Sequence, residues 1–212
     1  MPNAWVNERK REYYYRKAKK ENFRSRASYK LLQAAKKYNF IKPSYVVVDL
    51  GAAPGGWAQV AGNIVEYSGF VLAIDMKPIA NFNEPNIRTI IGDITDPQIN
   101  NIIKEFLPRP ADVVISDVSP NVSGIWELDH ARQIDLATQS LHIATKILRS
   151  GGNFFVKGFQ GSTLNKFVKE VKKKFHFVKM VKPKASRTKS AELYVLGMNF
   201  KQKSDPVIQT QG

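Results

Sequence analysis

The sequence of 212 residues contains no cysteine. That excludes disulfides, thiolate metal sites, iron–sulfur clusters and cysteine nucleophiles. No apolar run approaches the roughly 18 residues a membrane-spanning helix needs, and the N-terminus is basic and aromatic where a secretory leader would be apolar. A soluble, cytoplasmic, monomeric protein without a metal site is therefore the expectation. Internal repeats are absent, and the single compositionally biased stretch is a Lys-rich helix.

Acidic residues are scarce in two places. Residues 1–37 carry twelve Lys/Arg against three Glu, and residues 166–189 carry ten against one, each a net +9. Residues 38–165 are mildly acidic at −3, and the whole chain stands at +15. Charge segregated in this way favours a polyanionic partner over a merely solvated surface. Within residues 1–24, Trp5, Tyr13, Tyr14, Tyr15 and Phe23 sit among Arg9, Lys10, Arg11, Arg16, Lys17, Lys19 and Lys20. Cations pair with phosphates while rings stack on unpaired bases. A helix packing those aromatics on the body would read the same way.

The length suits one substantial α/β domain, and a 43% hydrophobic fraction supports a packed core. The expected organisation is a basic, aromatic arm over 1–24, a single domain over 25–200 and a tail over 201–212. A helix is predicted over 25–38, where Tyr29, Leu31, Leu32 and Ala35 recur at helical spacing. Strands are predicted at Val46–Leu50, Phe70–Ile74, Ile87–Ile91, Asp112–Ser116, Asn153–Val156, Phe177–Val181 and Glu192–Met198. Helices fall at about 56–67, 97–106, 129–148 and 163–175, with Gly151-Gly152 closing the third of these. Alternation of strand and helix predicts a mostly parallel seven-stranded sheet with helices on both faces, the last two strands forming an antiparallel pair at one edge.

The first strand runs into Gly51-Ala52-Ala53-Pro54-Gly55-Gly56-Trp57, a turn of small residues where a nucleotide-like ligand commonly sits. Asp75, Asp93 and Asp117 each follow a later parallel strand, so they should share that sheet edge. Singly, each is an ordinary turn or N-cap residue. Together they point to a shared ligand site in which an acid after the second strand can hold ribose hydroxyls and another an adenine amine. The turn is not G-x-G-x-x-G, and Pro54 occupies the place where a pyrophosphate would meet backbone amides. An adenosine ligand without a phosphate fits better, S-adenosylmethionine being the commonest.

Five segments resemble, in order, the FtsJ-like (RrmJ/RlmE-type) RNA 2'-O-methyltransferases. They are Phe23 to Leu31 (FRSRASYKL), Val48 to Trp57 (VDLGAAPGGW), Ser116 to Asn121 (SDVSPN), Phe155 to Gly161 (FVKGFQG) and Ser190 to Tyr194 (SAELY). The resemblance implies a Rossmann-like S-adenosylmethionine-dependent methyltransferase fold with a reversed last strand. It places the cofactor against Gly55 and Trp57, with Asp75 at the ribose, Asp93 at the adenine and Asp117 at the methionine end. It also implies a catalytic tetrad of Lys30, Asp117, Lys157 and Glu192, in which Lys157 is the proton acceptor. A neutral base and a charged lysine that orients the hydroxyl are both open for Lys157 at this point. The implied substrate is RNA, a uridine of large-subunit (23S-type) ribosomal RNA, with the tRNA anticodon loop and a non-catalytic assembly role as alternatives. No DNA partner is expected. Pyrimidine C5 chemistry is excluded by the missing cysteine, and the N/D-P-P-Y pattern of amine methylation is replaced by Ser119-Pro120-Asn121. Some members carry a further RNA-binding domain after the last strand. Here only a short polar stretch follows it, so RNA affinity is expected from the two basic flanks.

Overall fold

The computed structural model describes residues 13–187 and 190–202. Trp5, Arg9, Lys10, Arg11 and the expected tail beyond 202 lie outside those residues. Helix α1 spans 13–20 among the described residues, followed by α2 (Ser28–Tyr38), β1 (Val46–Leu50), α3 (Gly56–Val65), β2 (Phe70–Asp75) and β3 (Ile87–Ile91). Then come α4 (Ile99–Phe106), β4 (Ala111–Ser116), α5 (Trp126–Ile147), β5 (Leu148–Phe159), α6 (Leu164–Lys174), β6 (Phe175–Val181) and β7 (Glu192–Phe200).

The seven strands form one sheet in the order β3-β2-β1-β4-β5-β7-β6. The first five run parallel, and β7 lies antiparallel to both β5 and β6. The reversed strand is therefore next to the edge, and β6 is the edge itself. β1 and β4 are buried along their whole length because helices cover both faces of the sheet there. One face packs against α2 and α3 through Leu31, Trp57, Val60 and Phe155. The other packs against α4, α5 and α6 through Ile103, Leu141, Phe167 and Val156. Strand order reverses between β1 and β4, so their carboxyl ends open the crevice where α/β sheets bind ligands.

Two expectations change. Gly151-Gly152 does not close α5; that helix ends at Ile147 in an extended Leu148, and β5 begins there. Gly151, at φ +75°, instead lies in a bulge where the β4–β5 register jumps from Ala111↔Leu148 to Val113↔Asn153. The aromatic segment expected as an arm packs on the body from residue 13 onward: Ala18 is buried, and Tyr14 and Phe23 flank the Tyr29 ring at 5.3 Å. Tyr13 and Tyr15 of the same helix stay exposed.

Candidate active site

The turn after β1 is held from three sides. Gly51 donates to the Ile74 carbonyl at the end of β2, and Ala53 donates to Asp75 Oδ2 at 2.9 Å across a cis Ala53–Pro54 peptide. Gly55 adopts φ +104°, a conformation side chains resist, and a Cβ there would lie 2.7 Å from the Phe82 ring. Phe82 belongs to the segment after β2, and the Arg24 guanidinium sits 3.5 Å over its ring. Arg24 also donates to the Ala80 carbonyl at 2.5 Å and the Asn81 carbonyl at 2.6 Å. The β2 loop is thus fastened over the glycine turn by a residue from the first quoted motif.

Asp75 accepts from Ala53 and Lys77 amides, and Asp93 Oδ1 accepts from the Thr95 amide and hydroxyl. Each carboxylate shapes its own turn and retains lone pairs for a ligand hydroxyl or amine. Trp57 lies differently from what a ligand contact by its ring would require. Its indole is buried, stacks on Phe155 at 5.6 Å and donates to the Ala27 carbonyl. Its backbone lies in the first turn of α3, directly after the glycine turn.

Lys30, Asp117, Lys157 and Glu192 come together as two ion pairs rather than one cluster. Lys157, reaching from β5 and almost fully buried, lies 3.3 Å from Asp117 Oδ1 and donates to the Asp117 carbonyl at 2.8 Å and to Ser119 Oγ. Lys30, from α2, lies 2.7 Å from the Glu192 carboxylate, which also accepts from Ser186. Tyr194 joins the pairs: its hydroxyl donates to Asp117 Oδ1 at 3.0 Å, and Lys30 Nζ stands 5.9 Å from its ring. Burial first, then the charges of Asp117 and Glu192, push this phenol well above its ordinary pKa, so it acts as a donor. The β5–β7 register makes the arrangement possible, since Lys157 pairs with Tyr194 and Phe159 with Glu192, putting all four on one face.

Three contributors were not singled out from sequence. Gln133 on α5 donates to the Val118 and Lys157 carbonyls, tying the ends of β4 and β5 together beneath the ion pair. Tyr194 stood within a quoted motif without a role. Asp49, the penultimate residue of β1, is completely buried, and neither carboxylate oxygen has a hydrogen-bond partner. Burial first, then the charges of Asp117 and Asp75, raise its carboxyl well above the usual range. Three acids thus converge where β1, β2 and β4 end, an arrangement that a cationic ligand would relieve. Among the described residues, no group of His, Asp and Glu could hold a metal ion, and no helix is long and apolar enough to cross a membrane.

Residues 23–200 match the FtsJ-like methyltransferase family. The chain is 50% identical over 199 residues to "Ribosomal RNA large subunit methyltransferase E" of Methanocaldococcus jannaschii, covering 92% of this chain and 81% of that one. It is 50% identical over 203 residues to the protein of the same name from Methanothermobacter thermautotrophicus, covering 96% of each. Among solved structures, a Plasmodium falciparum protein assigned as a ribosomal RNA methyltransferase is similar at TM-score 0.74 and 29% identity, covering 84% of this chain and 98% of that one. Fibrillarin from Aeropyrum pernix, solved with S-adenosylmethionine bound, shares the fold at TM-score 0.60 and 15% identity, covering 82% and 75%.

Proposed function

Because the chain belongs to the FtsJ-like methyltransferase family, we propose that it moves a methyl group from S-adenosylmethionine to a ribose 2'-hydroxyl of large-subunit ribosomal RNA. The observation that carries this reading is the pair of lysine–carboxylate contacts beside the glycine turn, at the sheet edge where β1 and β4 part. The names of the archaeal relatives support ribosomal RNA over the tRNA anticodon loop as the substrate.

The residues present fit the donor. Asp49, buried without a partner and crowded by Asp75 and Asp117, is an acid whose ionisation a bound cation would favour. Asp75 and Asp93 offer acceptors for ribose and adenine, and Gly55 and Gly56 after Pro54 let the turn approach closely. Bound there, S-adenosylmethionine supplies an electrophilic methyl on a positively charged sulfur. The chain must then align a hydroxyl in line with that methyl and take away one proton. No oxyanion hole is called for, because positive charge is lost as the bond forms.

Lys157 Nζ takes that proton. In the resting site it is fixed by the Asp117 carboxylate and carbonyl and by Ser119 Oγ. Lys30 and Glu192 form the outer pair, and Tyr194 fixes Asp117 between them. The test is transfer of labelled methyl groups to large subunits from cells lacking this protein, with 2'-O-methylation mapped along the RNA. A single new 2'-O-methyl nucleotide in large-subunit RNA is the expected result, and label confined to tRNA or to a base would overturn it.

The second basic flank fits the role of a phosphate grip. Lys172, Lys173 and Lys174 close α6, where cations also complement the helix dipole. Replacing all three with Gln is expected to weaken RNA binding and lower the slope of log K against log salt by up to about 2, with donor affinity unchanged. An unaltered salt slope would remove α6 from the RNA-binding surface.

A further inference from the structure

Between β4 and α5 the chain exposes apolar surface that the fold does not use. Val122 is 76% exposed, Ile125 60%, Trp126 44% and Leu128 38%. The segment is nevertheless held firmly. Asp129, itself buried, accepts hydrogen bonds from the Ser123 amide and hydroxyl and from the Gly124 amide. An exposed apolar loop fixed by a buried carboxylate is built for contact rather than left over from packing.

Trp126 is also backed by a stack. Its ring lies 23° from the plane of His130 at 5.9 Å and 20° from that of Phe159 at 6.0 Å. His130 is fixed in turn, with Nε2 2.8 Å from the Thr163 hydroxyl and its ring packed where any Cβ on Gly161 would come within 2.5 Å. Two connections run from this stack to the reacting lysine. Phe159 is two residues beyond Lys157 on β5, so the two side chains leave the same face about 7 Å apart, or about two base steps of a stacked strand. The loop beginning at Ser119, which accepts from Lys157, leads directly to Trp126. Thr163 is the N-cap of α6, the helix carrying Lys166, Lys169 and Lys172–Lys174, so the platform adjoins the start of the basic flank.

We propose that Trp126, supported by His130 and Phe159, is a stacking platform for an unpaired base flanking the acceptor nucleotide. A flat, half-exposed ring next to cationic surface and one short step from the proton acceptor suits single-stranded RNA, because every base offers a π-face. The platform holds the strand open and in register so that a ribose, not a base edge, meets Lys157. This inference rests on the ribose-methylation reading above.

The experiment compares wild type, Trp126→Ala and Trp126→Phe in binding a single-stranded uridine-rich RNA of twelve nucleotides, in donor titrations, and in methylation of unmodified large subunits. Stacking of a base on an aromatic ring adds to single-strand affinity whatever the base. At a half-exposed ring, alanine is therefore expected to weaken the twelve-mer about 5- to 20-fold and raise KM for subunits, while phenylalanine stays within about 3-fold of wild type. Donor affinity is expected to be equal in all three proteins. Unchanged twelve-mer binding by Trp126→Ala overturns the platform, and so does an equal loss in both variants, since phenylalanine keeps a stacking face. Loss confined to whole subunits, with the twelve-mer unaffected, assigns the surface to a protein partner and overturns it as well. A wild type that binds no donor and methylates no RNA defeats the functional reading itself. Active wild type with an equally active alanine variant defeats the platform alone.

Discussion

Replacing Lys157 with alanine is expected to slow single-turnover methyl transfer by about 10²–10⁴-fold, the range a positioned general base contributes, while donor affinity changes little. Lys157 is nearly inaccessible to solvent and reaches the site from the middle of a paired strand, so water cannot readily stand in for Nζ. Its immediate partners, the Asp117 carboxylate, the Asp117 carbonyl and Ser119 Oγ, orient the amine, and none of them is removed by the substitution. Lys157→Arg then separates two roles. Arginine keeps the charge and can orient a hydroxyl, but it does not give up its proton in a protein. If proton removal is the task, the arginine variant falls with the alanine variant. Turnover within about 10-fold of wild type in Lys157→Arg would mean that a fixed positive charge, not a base, serves the attack. Tyr194 still donates to Asp117 in both variants, which keeps the carboxylate partnered and the comparison readable by circular dichroism.

The strands along the chain and the residues at their ends were legible because buried parallel strands read as short apolar runs and their acids stand at or just after their ends. Asp75, Asp93 and Asp117 follow that rule. Gly151-Gly152 did not, since a glycine pair after a helical pattern reads as a stop whether it caps a helix or bulges a strand. The four residues of the tetrad were recognisable one by one in their motifs. Their division into Lys157–Asp117 and Lys30–Glu192 was not, because it follows from the pairing register of β5 and β7, which are separated in sequence by α6 and β6. Trp57 shows a related limit. A motif position does not distinguish an indole that faces a ligand from one packed inward on Phe155 and Tyr194, as this one is. Asp49 was hidden among valines: one acid in an apolar strand looks the same whether its carboxylate reaches solvent at the sheet edge or stays buried.

That buried acid leads to the second large effect. Asp49→Asn is expected to make the ligand-free protein more stable at neutral pH and to weaken donor binding. In the folded chain, burial and the charges of Asp117 and Asp75 hold the Asp49 carboxyl well above its ordinary range; the nearby Ala58 amide offsets part of this without reaching hydrogen-bond geometry. In the unfolded chain the same group ionises near pH 3.9, the value of an unperturbed aspartate. Between those two values the unfolded state binds fewer protons than the native one, so stability falls as pH rises through this window. An amide of the same shape has no such dependence. The variant and wild type are therefore expected to melt alike below about pH 4, with the variant gaining as pH rises toward neutrality, at about 2–4 °C in Tm per kcal/mol relieved. Donor affinity should move the other way, by roughly 10- to 100-fold, because a charged hydrogen-bond or ion partner for a cation is lost. A polar group kept without a partner in the apo protein, at a cost in stability, is what a binding site tuned to a cation requires. Equal melting of the two proteins at pH 4 and pH 7.5, measured with and without S-adenosylmethionine, would show that Asp49 is a packing residue and that the donor's charge is met by Asp117 and Asp75 alone.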